Sequence, residues 1–79
     1  MFVKSKFQSK IDYVARELRE QRTKSNLTQK EVAEELGIPY QDYQKYEYGM
    51  MIPKKERYKR LCEILGIKIT NIVYNFEKR

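Results

Sequence analysis

Residues 28–49, TQKEVAEELGIPYQDYQKYEYG, decide how this chain folds. Thr28 and Glu31 have the spacing of a capping box, in which each side chain accepts a hydrogen bond from the backbone amide of the other residue. An apolar face follows, and Gly37 can adopt the positive φ that ends a helix. The pattern predicts a helix of about nine residues that begins at Thr28 and ends just before Gly37.

A second helix follows after a very short connection. Pro39 suits the first turn of a helix because it has no amide hydrogen to lose there. The pattern then continues from Tyr40 to Tyr48, and Gly49 can end it. Two helices joined by three or four residues must cross steeply.

The residues before this pair predict another helix. Ser9 has the character of an N-cap, and apolar residues then recur at helical spacing at Ile11, Val14, Ala15 and Leu18. The next position on that stripe is Arg22, and an isolated charge on the core side would cost several kcal/mol. Glu47, on the inner side of the later helix, is the available partner. We therefore predict an ion pair between Arg22 and Glu47.

The C-terminal part predicts one further helix and one ambiguous segment. Tyr58, Leu61, Cys62 and Leu65 give the apolar face of a helix from Lys54 to Leu65, followed by a glycine suited to a Schellman ending. The last stretch, IKITNIVYNF, has helical spacing but is rich in residues that favour strands. Both readings stay open on the pattern alone.

Taken together, these residues resemble the phage repressor and Cro-like regulators of the Xre type. The resemblance covers residues 9–72. It rests on matches in order and at similar spacing: Thr28, Gln29, Val32, Ala33, Gly37, Glu47, Gly49, Pro53, Leu65, Gly66 and Ile67. It implies an all-α, compact, five-helix lambda-repressor-like DNA-binding domain, with its helix-turn-helix at helices two and three. It also implies a fifth helix beginning near Ile69 and an arginine–glutamate pair at Arg22 and Glu47.

Length and charge agree with a small binding domain. The chain has 79 residues, enough for one domain, which we place at 9–76 between an N-terminal arm (1–8) and a tail (77–79). Its formal net charge of +6 favours a polyanionic partner such as nucleic acid. Residues 28–49, however, carry two basic against five acidic side chains, so the positive charge lies in the flanks. Charge runs on helices are also often only solvated faces.

The second helix of the pair carries a candidate DNA-reading surface. Glutamine can pair with adenine, lysine with guanine, and tyrosine can touch thymine methyl groups. The predicted base-reading residues are Tyr40, Gln41, Gln44 and Lys45. The predicted phosphate contacts are Gln29, Lys30, Lys45, Lys54 and Lys55. In the family that the chain resembles, the glutamine matching Gln29 contacts the DNA backbone and braces the reading helix.

Two apolar segments suggest protein contacts. Met50, Met51 and Ile52 form a loop where relatives carry polar or basic residues, and exposed apolar loops indicate a partner or a return to the core. One of the three side chains can close over the core while two meet a second subunit. Val73, Tyr74 and Phe76 exceed what capping a small bundle requires, which suggests a homodimer contact. A dimer would read two half-sites about one DNA turn apart.

Several function classes are excluded or disfavoured by composition. The chain has one cysteine, Cys62, and no histidine, which argues against a disulfide, a metal site and a cysteine–histidine nucleophile. No catalytic constellation, cofactor motif, small-molecule pocket or membrane segment is apparent, so we expect a non-enzymatic, cytoplasmic protein without cofactors. The main expectation is a DNA-binding transcriptional regulator acting as a homodimer. The alternative is a protein-interaction module on the same fold, antitoxin-like or accessory to a repressor, with a regulatory protein partner.

Overall fold

The structure is a computed structural model that describes residues 6–69 and 73–75. This part of the chain contains four helices: α1 (Lys6–Lys24), α2 (Gln29–Leu36), α3 (Tyr40–Glu47) and α4 (Lys55–Leu65). It contains no strand, and none of its helices is long and apolar enough to span a membrane. The all-α class predicted from the sequence is confirmed.

The fifth helix is not confirmed. Ile69, where the sequence predicts it to begin, is not helical, and Val73 and Tyr74 lie in a bend. Residues 70–72 and Phe76 lie outside the described residues.

The first helix begins earlier than its capping signal suggests. It starts at Lys6, so the prediction that Ser9 caps it is wrong, and residues 6–8 are helical. The side-chain amide of Gln8 donates to the Asp12 carboxylate at 3.1 Å, a contact of the i, i+4 type that supports the extra turn. Serine is tolerated inside a helix when it faces solvent, as Ser9 does, which makes it an ambiguous cap signal.

All four helices end in the same way. A residue with left-handed backbone stops each helix, and the amide of the next residue donates to the carbonyl five positions back, which is the Schellman arrangement. The four stop residues are Asn26 (φ 58°), Gly37 (φ 74°), Gly49 (φ 72°) and Gly66 (φ 70°). Three are glycines, for which positive φ carries no steric cost. The predicted capping box at the start of α2 is also present.

The core lies between α1, α3 and α4, with α2 packed across α3 and α4. Its fully buried side chains come from all four helices and include Leu18, Val32, Tyr43 and Leu61. Tyr43 and Tyr46 meet edge to face, with ring centroids 6.3 Å apart. Both rings are buried in the core cluster, which also contains the small side chain of Ala33.

The segment after α4 returns to the core. Tyr74 stacks on Tyr58 with ring centroids 4.8 Å apart, and its hydroxyl donates to the carbonyl of Pro53. Val73 is half-buried against the same core. Both residues therefore have a role within their own chain, and their part in a homodimer contact stays a prediction.

Candidate nucleic-acid interface

The connection between α2 and α3 fixes how the two helices stand. Gly37 ends α2, and the Ile38 amide bonds back to Ala33 at 3.0 Å. Pro39 stands immediately before α3 as its N-cap rather than in its first turn, and its carbonyl accepts the first helical hydrogen bonds. Only three residues therefore separate the helices, and this short turn positions α3 across α2.

A buried carboxylate at the end of α3 ties three helices together. Glu47 is 0% exposed and receives two hydrogen bonds from Arg22 of α1, from Nε at 2.5 Å and from Nη2 at 3.1 Å. It also accepts from the Tyr43 hydroxyl at 2.6 Å and from the Gln29 side-chain amide at 2.9 Å. The ion pair expected from the sequence is present, and it is the centre of a larger network.

The network keeps this carboxylate ionised. Burial alone would raise the pKa of Glu47, but the hydrogen bonds from Arg22, Tyr43 and Gln29 outweigh it and hold the pKa below its usual value. Arg22 is held in turn by a hydrogen bond from Nη1 to the Leu27 carbonyl at 2.9 Å. A charged pair that is fully hydrogen-bonded fixes geometry strongly because breaking it strands a buried charge.

A second link joins this network to the outer face of α3. The Gln44 amide nitrogen lies 3.3 Å from the Gln29 side-chain oxygen, 2.9 Å from the Tyr40 hydroxyl and 3.4 Å from the Tyr48 hydroxyl. Gln44, predicted as a base-reading residue, is thus half-buried and already bonded within the chain. Tyr40, Gln44 and Tyr48 are spaced four residues apart, and this helical spacing predicts the contacts among the three side chains.

The remaining residues of the predicted reading face have different exposures. Tyr40 is 39% exposed and Gln41 is exposed, whereas Lys45 is half-buried; Tyr48, which is not one of the predicted base-reading residues, is 58% exposed. Gln41 lies at the start of α3 and its side chain is exposed to solvent. The outer face of α3 is polar and hydroxyl-rich, which suits contact with base edges.

Four of the five predicted phosphate-contacting residues lie at the starts of α2 and α4, and the fifth, Lys45, lies on α3. Gln29 and Lys30 begin α2 and line one concave surface of about 450 Å³ together with Tyr40. Helix N-termini favour anions because their first amides lack helical partners. Lys54 and Lys55 are exposed at the start of α4, and Lys54 lines a different groove. Gln29 and Lys30 thus line one concave surface and Lys54 another, and contact of all five residues with phosphate stays a prediction.

Two positioning contacts were missed by the sequence analysis. Arg19 donates from Nη1 to the Glu47 carbonyl at 3.0 Å, so a cation sits on the C-terminal end of α3. Arg57 of α4 donates to the hydroxyl of the buried Tyr46 at 3.0 Å. Arg19 lies three residues before Arg22, so both arginines lie on one side of α1. This spacing could have indicated from the sequence that Arg19 also reaches α3.

In the loop after α3, one apolar side chain turns to the core and two are exposed, as the sequence suggested. Ile52 packs against the core, whereas Met50 is 69% and Met51 45% exposed. Within the described residues, no cluster of side chains has the composition of a metal site.

The fold and this α2–α3 arrangement define a helix-turn-helix protein, and the chain belongs to that family. A sequence model of the family, described as helix-turn-helix, matches residues 18–72. The chain is also 33% identical over 60 residues to the cryptic phage CTXphi transcriptional repressor RstR of Vibrio cholerae. That alignment covers 76% of this chain and 54% of RstR, so the chain spans about half the length of this relative. No solved structure matches the chain.

Proposed function

We propose that the chain is a sequence-specific, double-stranded DNA-binding transcriptional regulator of the repressor type that places α3 in the major groove. Family membership and the likeness to a phage repressor support this reading. The structural observation that carries it is the outer face of α3, a polar surface held in place from behind by the Glu47 network. A fixed, hydrogen-bonding helix is what direct readout of base edges requires.

In this proposal, base reading and positioning are divided between residues. Tyr40, Gln41, Gln44 and Lys45 would read bases. Gln29 and Lys30, with Lys45, Lys54 and Lys55, would contact phosphates and set the register. The exposed Glu31, Glu34 and Glu35 of α2 would point away from DNA. Glu31 has a separate structural role, because its carboxylate accepts the Thr28 amide in the capping box.

Homodimerisation is the second part of the proposal. Regulators of this geometry normally bind two half-sites about one DNA turn apart, which pairs the two-fold symmetry of the protein with that of the site. The exposed Met50 and Met51 supply apolar surface for a second subunit, and Val73 and Tyr74 remain partly accessible.

The direct test is selection of bound duplexes from a random DNA library at moderate salt, followed by sequencing. We expect a two-fold symmetric site with half-sites about 10 base pairs apart. The same selection with a Gln41→Ala/Lys45→Ala variant should lose or change the site. A Lys59→Ala variant, altered on the exposed side of α4, should return the wild-type site. A folded wild-type protein that enriches no sequence would rule out specific DNA reading.

The second candidate function is a protein-interaction module on the same fold, antitoxin-like or accessory to a repressor. The exposed methionines of the loop after α3 favour it. Salt separates the two candidates, because phosphate-driven binding weakens steeply as salt rises, whereas apolar contact does not.

A further inference from the structure

An open groove lies between the end of α2, the loop after α3 and the start of α4. Its volume is about 680 Å³, and its apolar floor consists of Leu36, Tyr46, Met51 and Ile52. This size falls in the range of about 300 to 1,000 Å³ that is typical of binding clefts. Met51 is 45% exposed, and its flexible side chain can adapt to a bound apolar group.

One side of this groove is basic. Lys54, Arg57 and Arg60 line it, with Glu56 as the single acidic residue among the lining side chains. Arg57 is held by its bond to the Tyr46 hydroxyl, so one cation has a fixed position at the edge of the floor. Arg60 is exposed and lies 3.5 Å from the Glu63 carboxylate, a weak surface contact. The groove therefore combines apolar surface with a net positive edge.

We infer that this groove binds an acidic peptide segment of another protein, with large apolar side chains seated on Leu36, Met51 and Ile52. Carboxylates of the segment would meet Arg57 and Arg60, because Arg–carboxylate pairs combine charge with directional hydrogen bonds. A DNA backbone fits less well, since phosphates and sugars carry no large apolar group to cover the floor. An amphipathic acidic segment matches both halves of the groove.

The test begins with selection of a displayed library of random short peptides on the wild-type protein without DNA. We expect enriched sequences that combine Asp or Glu with Leu, Phe or Trp. Their affinities are then measured by fluorescence anisotropy against four variants. Met51→Asp and Arg60→Glu change exposed residues of the groove and should weaken binding by about ten-fold or more.

The chain supplies matched controls for both changes. Met50→Asp alters the neighbouring, more exposed methionine, and Lys59→Glu makes the same charge reversal one residue before Arg60. Neither residue lines the groove, so both should bind peptide like the wild type. Thermal unfolding of each variant verifies that it is folded, and Met51→Ser replaces Met51→Asp if the aspartate prevents folding.

Several results would overturn the inference. They are the absence of enriched peptides, enriched peptides without acidic residues, or equal weakening by the groove variants and their controls. If no peptide is enriched and Met51→Asp abolishes concentration-dependent dimers, Met51 contacts the second subunit proposed above and not a peptide. If no peptide is enriched and Arg60→Glu lowers duplex affinity as much as Lys45→Ala, the basic residues of the groove contact DNA and not a peptide.

Peptide binding in this experiment does not depend on DNA binding, so either proposal can fail while the other stands. One consequence does rest on the proposed function. Lys54 lines the groove and is also a proposed phosphate contact, so a bound peptide should weaken duplex binding.

Discussion

The side-chain oxygen of Gln29 accepts a hydrogen bond from Gln44 at 3.3 Å, while the nitrogen of the same Gln29 amide donates to Glu47 at 2.9 Å. A single side chain at the start of α2 thus joins the buried carboxylate to the outer face of α3. The orientation of the candidate reading face is consequently coupled to the interior of the domain. Gln29 braces α3 whether or not it also touches a phosphate.

Replacing Gln29 should therefore affect both stability and DNA binding. Gln29→Ala removes one donor from a buried carboxylate, and hydrogen bonds to charged groups contribute about 1.5 to 3 kcal/mol. We expect a loss of that order in urea unfolding, together with weaker binding to every duplex. Gln41→Ala, at an exposed position of α3, is the control and should change stability by less than about 0.5 kcal/mol.

The Arg22–Glu47 pair should show strongly unequal single and double changes. Arg22→Met leaves the Glu47 carboxylate buried without its cation, and the free energy of unfolding should fall by about 3 kcal/mol or more. Adding Glu47→Leu and Tyr43→Phe removes the stranded charge and the hydroxyl that bonds to it, so much of the loss should be recovered.

The measurement is chemical denaturation of these variants beside Arg16→Met, which alters an exposed arginine of α1. Arg16→Met should stay close to wild type. If the Arg22→Met and combined variants lost the same free energy of unfolding, the stranded Glu47 charge would not be the cause of the loss.

Acid should destabilise the domain through Glu47. Because its pKa in the folded protein lies below the unfolded value of 4.5, its contribution is complete above that pH and is lost as pH falls through the folded pKa. Unfolding free energies measured from pH 6 downward should fall in this window. Glu47→Gln should flatten that part of the profile, and an unchanged slope in this variant would contradict the assignment.

Alkali should destabilise the domain through its buried tyrosines. Burial raises the pKa of Tyr74 to about 12, and burial with a hydrogen bond to Glu17 raises the pKa of Tyr58 further. For groups with raised pKa, stability is complete below the unfolded value of 10.0 and is lost as pH rises above it. The loss should be smaller in Tyr58→Phe but unchanged in Tyr48→Phe, whose ring is exposed, and denaturation at several pH values between 9 and 12 measures it.

Changes on DNA should separate reading from positioning. Gln41→Ala should alter base preference at one or two positions, with about 1 to 3 kcal/mol per position, whereas Lys55→Ala should weaken all duplexes alike and lower the salt dependence by about one phosphate contact. Binding of a panel of single-base variants of the selected site, at several salt concentrations, distinguishes the two. If Gln41→Ala leaves the preferred sequence untouched, α3 does not read DNA as proposed.

Much of the fold could be predicted because its signals are local. The capping box at Thr28 and the glycine stops at Gly37 and Gly66 depend on residues a few positions apart, and the structure contains each of them. The Arg22–Glu47 pair could be predicted because a charged residue on the apolar stripe of a helix requires a partner of opposite charge. The start of α1 could not be predicted, because a serine such as Ser9 is compatible both with a helix cap and with a solvent-facing position inside a helix.

The finer features of the site were out of reach for a different reason. The bonds from Gln29 to Gln44, from Arg19 to the Glu47 carbonyl and from Arg57 to Tyr46 join distant parts of the chain. Polar residues with several possible partners carry no periodic pattern that selects one of them. The basic groove beside Met51 likewise exists only once α2 and α4 are brought together.

The residues that hold α3 in place and those on its outer face form nearly separate sets. Arg22, Tyr43 and Glu47 fix the helix from inside, whereas Gln41 and Lys45 have no side-chain bond to that network among the described residues. Gln44 and its hydrogen-bond partner Tyr40 belong to both sets. If the outer face of α3 reads DNA as proposed, randomising Gln41 and Lys45 while Tyr40 and Gln44 are kept should give new binding preferences on an unchanged scaffold.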